Sequence, residues 1–440
     1  MEFIPIQDFP EELHDRDKSL LGLGFWFENS GISSVDLSEP LHGNPGVGGT
    51  EYQFVLIANF FLAIKRVDVE ITFFLEKHQD LPKDIKQIVV RDLPEAYEKS
   101  AEQGIDFLIF RPRRNISDEI RNLAPKKTML IPWLHITPKR EYLDWLAETS
   151  IIHRVIFVGD DQRMRTIDHR VYRRSSTIYN TSTGFFQFST VRRSNLVVYV
   201  GALVPRKGFH ILAKAWPKVR EQIPNAELHV LGSGDLYDKE TQLGPLQLAE
   251  AIYEEKFVGL LGGESGLEGL GVHFLGTLGK EKANVIESAA VGVVNPSGLT
   301  ENCPMSVVEF YQSGIPVVSS NKYGMRDMII SGKTGILCRS YSQLGDVLIR
   351  FLEGSENSER LGSNGIEFAK VRFSPEKIVE DWMRVLLGDF IEVPCLKGYW
   401  LHKFFAKLKR IYLLPNGFAM VEDQKIYLAR IREKFLRILR

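Results

Sequence analysis

Cysteine is scarce in this chain: three thiols in 440 residues, Cys303, Cys338 and Cys395, far apart and never as Cys-x-x-Cys. That pattern argues against a disulfide framework, it fits a reducing compartment, and no zinc site is expected. Long hydrophobic runs are missing too. No uninterrupted apolar stretch reaches about 18 residues, so no membrane-spanning helix is expected. The opening residues, MEFIPIQDFPEELHDRDK, are acidic and lack a basic start with an apolar core, so no signal peptide is expected. The protein is expected to be soluble or peripheral, in the cytoplasm or at the inner face of its membrane. Net charge is also near zero, with 55 Lys+Arg against 56 Asp+Glu, which gives no general case for nucleic acid as a partner. The charge is uneven, however. From Cys395 onward there are 11 basic residues against 3 acidic ones, a local +8.

What is present is an ordinary globular composition, 44% hydrophobic and 25% charged, in a chain long enough for two domains. Apolar strands at 21–30, 69–76, 105–110, 127–135 and 153–159 alternate with helical or loop segments. A second alternating set opens at 196–201 and continues through 226–234, 271–278 and 289–298. Alternation of this kind predicts α/β architecture with parallel, doubly wound sheets. Residues 184–195 are the expected linker. Boundaries are placed at 1–190 and 191–373 for two Rossmann-like domains, 374–394 for a helix crossing back, and 395–440 for a basic helical tail.

The chain is organised around Glu301–Glu309, ENCPMSVVE. A buried strand with a small-residue bend precedes it, and a helix over 304–313 and the strand IPVVSS follow. Pro304 suits the first turn of that helix, where its missing N–H needs no partner. The helix is apolar nearly all round, and its one charge, Glu309, shares a thin polar stripe with Ser306 and Ser313. A carboxylate on a buried helix requires a partner, and nothing nearby in sequence supplies one. Glu301 stands just before the helix, where free N–H groups and the dipole make an anion site over 302–305, that is Asn302, Cys303, Pro304 and Met305. Eight residues of mostly helical chain separate the two acids by roughly 12 Å, about the span from sugar to ribose in a nucleoside diphosphate-sugar.

Other segments carry chemistry as well. A long Ser/Gly/Pro-rich loop ends in NPGVGGTEYQ, where Thr50 and Gln53 have capping-box spacing and Gly46, Gly48 and Gly49 permit close approach of a ligand. The glycines do not have the dinucleotide spacing G-x-G-x-x-G. The strand 196–201 leads to Arg206 and Lys207 beside a helix start near Gly208, where two cations could neutralise a departing nucleoside diphosphate. His135 falls at the carboxyl end of a strand, the edge at which open α/β sheets bind ligands. No Asp-x-Asp-type pair stands at a strand end, so no metal is expected to be required.

Glu-x7-Glu within this strand-loop-helix-strand, with SGIPVVSS and GMRDMIISGKTGILC after it, resembles the retaining family-4 glycosyltransferases. The resemblance covers roughly 20–390 and is strongest over 196–338. It implies the GT-B fold, two Rossmann-like domains facing across a cleft, and transfer from a UDP- or GDP-sugar with retention of anomeric configuration. In it Glu301 binds donor-sugar hydroxyls, Glu309 the ribose diol, and Lys207, with Arg206, the diphosphate. The family's Gly-Gly turn maps to Gly48 and Gly49, its active-site His to His135, and its base pocket to backbone groups of the Gly turns that end the segments 226–234 and 271–278. The donor is a substrate, and no cofactor is implied. The acceptor would be a saccharide or lipid-linked, in surface polysaccharide or glycolipid synthesis. One departure stands out: the family usually has Arg directly after the strand's Gly, where this chain has Ala202. It supports a rival reading, an inactive homologue serving as a binding or scaffolding subunit. A phosphorylase or sugar epimerase of the same architecture fits less well, and residues 235–270 have no assigned role.

The tail 395–440 carries two apolar stripes, Leu401, Phe404, Phe405, Leu408 and Ile411, then Leu428, Ile431, Phe435 and Ile438, interleaved with Lys and Arg. Such helices fit either an anionic membrane surface, at about 1 kcal/mol per basic residue, or packing on the N-terminal domain or a second subunit. Liposome co-sedimentation of the full chain and of a 1–394 truncation separates the two. Membrane contact predicts that only the full chain partitions onto anionic vesicles, and equal partitioning contradicts it.

Overall fold

The computed structural model describes residues 20–389, apart from 65–67, 168, 185–191, 236–240 and 280. The tail 395–440 and Cys395 lie outside the described residues. Two all-parallel sheets are formed, as the alternating pattern predicts. The first has strands β1 (Leu21–Trp26), β2 (Val69–Leu75), β3 (Lys86–Val89), β4 (Phe107–Phe110), β5 (Met129–Leu134), β6 (Val155–Phe157) and β7 (Ser175–Thr177), in the order β3-β2-β1-β4-β5-β6-β7. The second has β8 (Leu196–Val200), β9 (Glu227–Leu231), β10 (Val272–Gly276), β11 (Val291–Val293), β12 (Val317–Ser320) and β13 (Gly335–Cys338), in the order β10-β9-β8-β11-β12-β13. The central strands are buried on both faces, which is why they read as unbroken apolar runs.

β3 and β7 carry no such signal. KQIV is half-exposed and SST is short and polar, so both are sheet-edge strands held by neighbours rather than by composition. No helix among the described residues is long and apolar enough to cross a membrane. The helix expected over 304–313 runs Met305–Gln312, with Pro304 as its extended N-cap residue rather than within the first turn. The predicted capping box is overturned. Helix Gly49–Ile64 already includes Thr50, and buried Gln53 bonds instead to the backbone of Thr181, accepting from its N–H at 2.9 Å and donating to its carbonyl at 3.0 Å. A long-range backbone partner has outcompeted the local one.

The halves are tied together by the last described helix, Pro375–Leu386, which crosses back onto helix Gly49–Ile64. Its apolar face is Ile378, Val379, Trp382, Met383, Val385 and Leu386. Trp382 meets Trp133 of β5 edge-on, with ring centroids 5.1 Å apart, and His153 Nε2 lies 2.7 Å from the Val385 carbonyl. One hydrophobic cluster therefore runs from β1 and β5 through this helix to the Met305–Gln312 helix. Trp382→Ala should lower the unfolding free energy by about 3–5 kcal/mol, the usual cost of truncating a buried Trp. Urea denaturation followed by circular dichroism checks this.

Candidate active site

In each sheet the strand order reverses at one place, between β1 and β4 in the first and between β8 and β11 in the second. Crevices at the carboxyl ends of strands open at such reversals. The loops leaving β8 and β11 hold Lys207 and Glu301, so the two residues meet by topology.

The Lys207 ammonium is in contact with Glu301 Oε1, and both side chains are largely buried. Asn295 donates from Nδ2 to the same carboxylate at 3.2 Å. Asn295 is itself fixed, accepting from the Gly298 N–H at 3.0 Å and from Ser297 Oγ at 2.8 Å. Gly208 makes the approach of the two loops possible. Its φ is +75°, and a Cβ there would lie 2.6 Å from the Ser297 nitrogen. Burial, with the Arg206 guanidinium beside it, pulls the Lys207 ammonium down to about 7. Arg206 itself is exposed, on the 3-10 turn Pro205–Lys207.

Glu309 does have a partner. Lys282, on the short helix Lys282–Glu287, bonds its Oε1 at 2.6 Å, with both side chains about one-fifth exposed. Lys282 also lines a cavity of about 100 Å³ between the halves. Its other walls are Gly201 and Ala202 after β8, Gly232 after β9, Thr277 after β10, and Asn44, Gly46 and Val47 from the N-terminal loop. Asn44 shapes that loop, with Oδ1 accepting from the N–H groups of Gly46 and Val47, both at 2.9 Å. Gly48 and Gly49 are not among the lining residues. A Cβ on Gly48 would lie 2.2 Å from a Glu51 carboxylate oxygen, and Gly49 opens the helix. Buried Ala202 faces the cavity with a methyl group where the resembled family has Arg.

His135 meets the residue that follows Glu301. It belongs to a seam between the halves, behind the helix start. Its carbonyl accepts from Asn302 Nδ2 at 2.8 Å, and its Nε2 lies 3.1 Å from Asn180 Oδ1. Asn180 in turn donates to the Cys303 carbonyl at 3.3 Å. Nδ1 of His135 is buried without a hydrogen-bond partner among the described residues. Burial, helped by Arg111, holds the ring down at about 3, so it is neutral. Burial likewise pushes the Cys303 thiol up to about 12, which makes it an inert wall. Arg165 reaches Asn302 from the N-terminal half, and Asp327 accepts from the Asp161 N–H at 2.8 Å. The spacing of Glu301 and Glu309 marks the site in sequence. Lys282, Asn295 and Asn44 leave no such mark, because each is placed by packing rather than by a local pattern.

Residues 182–368 match the family model described as glycosyl transferases group 1. An uncharacterised glycosyltransferase of Methanocaldococcus jannaschii is 26% identical over 236 residues, 46% of this chain and 52% of that protein. Spore coat protein SA of Bacillus subtilis is 24% identical, over 43% of this chain and 48% of that protein. The chain thus spans about half the length of the curated relatives it matches. Anabaena HepE, solved in complex with UDP-glucose, superposes with TM-score 0.60 at 17% identity, over 84% of this chain and 100% of HepE. A glycosyltransferase from Rickettsia africae superposes with TM-score 0.64 at 10% identity, over 84% and 98%. The fold is GT-B.

The seam has a pH signature. Burial, with Asp160 and Asp161 nearby, raises Asp327 from 3.8 to about 7. A raised carboxyl favours the protonated folded state, so the stability it contributes is complete below 3.8 and is lost as pH rises through about 7. Asp327→Asn stays neutral and escapes that loss. Its unfolding temperature should gain on wild type as pH rises across this window, and a difference independent of pH would contradict the assignment.

Proposed function

We propose that this protein transfers a sugar, with retention, from a nucleoside diphosphate-sugar to a saccharide or lipid-linked acceptor. The observation that carries this reading is the largely buried Lys207–Glu301 ion pair at the second sheet's switch point, beside the start of helix Met305–Gln312. Without donor, Glu301 neutralises Lys207. A diphosphate entering the cleft takes over the ammonium and frees Glu301 to accept from sugar hydroxyls. Charge developing on the leaving diphosphate then falls to Lys207, to Arg206 in place of the cation absent at Ala202, and to the N–H groups at the helix start. Glu309 is shared between Lys282 and the ribose diol. The cavity between Asn44–Val47 and the turns after β8, β9 and β10 takes the remainder of the donor, and closure of the two halves excludes water that would hydrolyse it. UDP-glucose is the first donor to test, since HepE is solved with it. Surface polysaccharide or glycolipid synthesis, with the basic tail 395–440 on an anionic membrane, is the setting this chemistry suits.

Ala202 favours a second reading, a homologue that binds nucleotide-sugar without turnover. Thermal-shift screening of UDP- and GDP-sugars, then turnover of the donor that binds, separates the two. Glu301→Gln keeps the shape and the Asn295 contact but removes the charge, and should cut turnover by roughly 100-fold or more. Lys207→Ala should weaken nucleoside diphosphate binding by about 1.5–3 kcal/mol, measured by titration calorimetry, with Arg206→Ala showing a comparable loss if it replaces the missing cation. Full turnover in Glu301→Gln would remove Glu301 from the chemistry. Binding with no turnover of any donor in wild type would favour the second reading.

A further inference from the structure

Away from the cleft, the sheet edge gathers three metal-binding side chains that the proposed transfer does not use. Glu227 and His229 alternate along β9 and therefore point to the same face. β10 is the edge strand, and its register sets His273 directly beside His229. The opposite face of the pair, with Leu228 and Val230, is sealed against the helices Phe209–Gln222 and Ala251–Leu260, whereas the face with the two imidazoles is half-open.

The geometry is close to what a small divalent ion requires. His229 Nε2 lies 3.4 Å from Glu227 Oε2. Two ligands bound to zinc at 2.0–2.1 Å in tetrahedral array stand roughly 3.3 Å apart. The His229 and His273 rings are perpendicular, with centroids 5.3 Å apart, and one ligand atom from each of the three residues lies within 4.8 Å of the others. Small side-chain rotations close the remaining gap, since His273 is exposed and free to turn. Arg193 bonds the other Glu227 oxygen, Oε1, which fixes the carboxylate with Oε2 toward His229. Carboxylate ligands are commonly held this way from behind. Nδ1 of His229 is buried with no hydrogen-bond partner among the described residues, and it is Nε2 that faces the Glu227 carboxylate.

We propose that Glu227, His229 and His273 form a binding site for a late first-row divalent metal, Zn²⁺ foremost, which pins edge strand β10 to β9. Two imidazoles and a carboxylate suit this class over Mg²⁺ or Ca²⁺, which prefer all-oxygen sites. The exposed side leaves a coordination position for water. The cationic Arg193 on the same carboxylate limits the affinity, so binding at micromolar rather than nanomolar Zn²⁺ is expected. Pinning matters because β10 ends at Gly276, and Gly276, Thr277 and Leu278 line the interdomain cavity. The metal would steady one wall of the donor site from the far end of the strand without entering it.

The test uses the full chain stripped of metal with a chelator. ZnCl₂ or MgCl₂ is added, and unfolding temperature and the metal retained at equilibrium dialysis against a free metal concentration of about 10 μM are measured for wild type, His273→Gln and His229→Gln. Zn²⁺ should raise the wild-type unfolding temperature by roughly 2–4 °C, Mg²⁺ should not, and wild type should retain one equivalent of zinc more than either variant. Loss of a ligand should weaken binding by roughly tenfold or more. His273 is exposed, so its variant decides the matter even if His229→Gln folds poorly. Equal zinc retention and equal shifts in wild type and His273→Gln, or a wild-type response to Mg²⁺ as large as that to Zn²⁺, would overturn the site.

Discussion

A largely buried lysine and a largely buried glutamate hold the centre of this molecule. Neither Lys207 nor Glu301 could be tolerated there alone, since removing one partner of a buried pair typically costs about 3–5 kcal/mol. Together they join the two loops that leave β8 and β11 at the point where the sheet reverses. The contact demands a glycine at 208, because a side chain there would run into Ser297. It also demands Asn295, which braces Glu301 from the other side. Under the proposed function, the donor's phosphate takes the place of the carboxylate on the Lys207 ammonium.

Around this pair the two halves play unequal parts. The second supplies the charges, Lys207, Glu301, Glu309 and Lys282. The first supplies a shaped loop, Asn44 to Val47, and a seam of neutral or paired groups at His135, Asn180, Asp161 and Arg165. The helix Pro375–Leu386 is part of the chain that follows the second sheet yet packs on the first, so its Trp382 couples the halves. The seam meets the backbone of 301–303 itself: a Cβ on Gly324 or on Gly159 would strike the Asn302 carbonyl, at 2.1 and 2.8 Å. The contact from Gly159, in the first half, thus falls one residue from the acid that the proposed chemistry relies on.

Much of the fold was legible because parallel strands covered on both faces leave uninterrupted apolar runs, and β1, β2, β5 and β8 all have them. β3 and β7 were not, since an edge strand borrows its order from its neighbour. At the site, Glu301 and Glu309 could be found because a helix start and an isolated acid in an apolar helix are local signals. The partner of Glu309 could not, since Lys282 lies 27 residues earlier and is brought in by packing of one helix on another. The reading of Thr50 and Gln53 as a cap failed for the same reason in reverse: a local pattern was present, but Thr181 offered Gln53 two backbone bonds. The expectation of no zinc site rests on cysteine scarcity, which bears only on thiolate ligands, and the strand register that sets His273 beside His229 is not written in either segment.

The most direct test is a structure of the protein soaked with a nucleoside diphosphate-sugar, UDP-glucose first. If the Lys207–Glu301 pair is the donor site, the diphosphate will lie on Lys207 and the start of helix Met305–Gln312, with Glu301 turned from the ammonium onto the sugar and Glu309 at the ribose. A nucleotide bound elsewhere, with Lys207 still on Glu301, would contradict it.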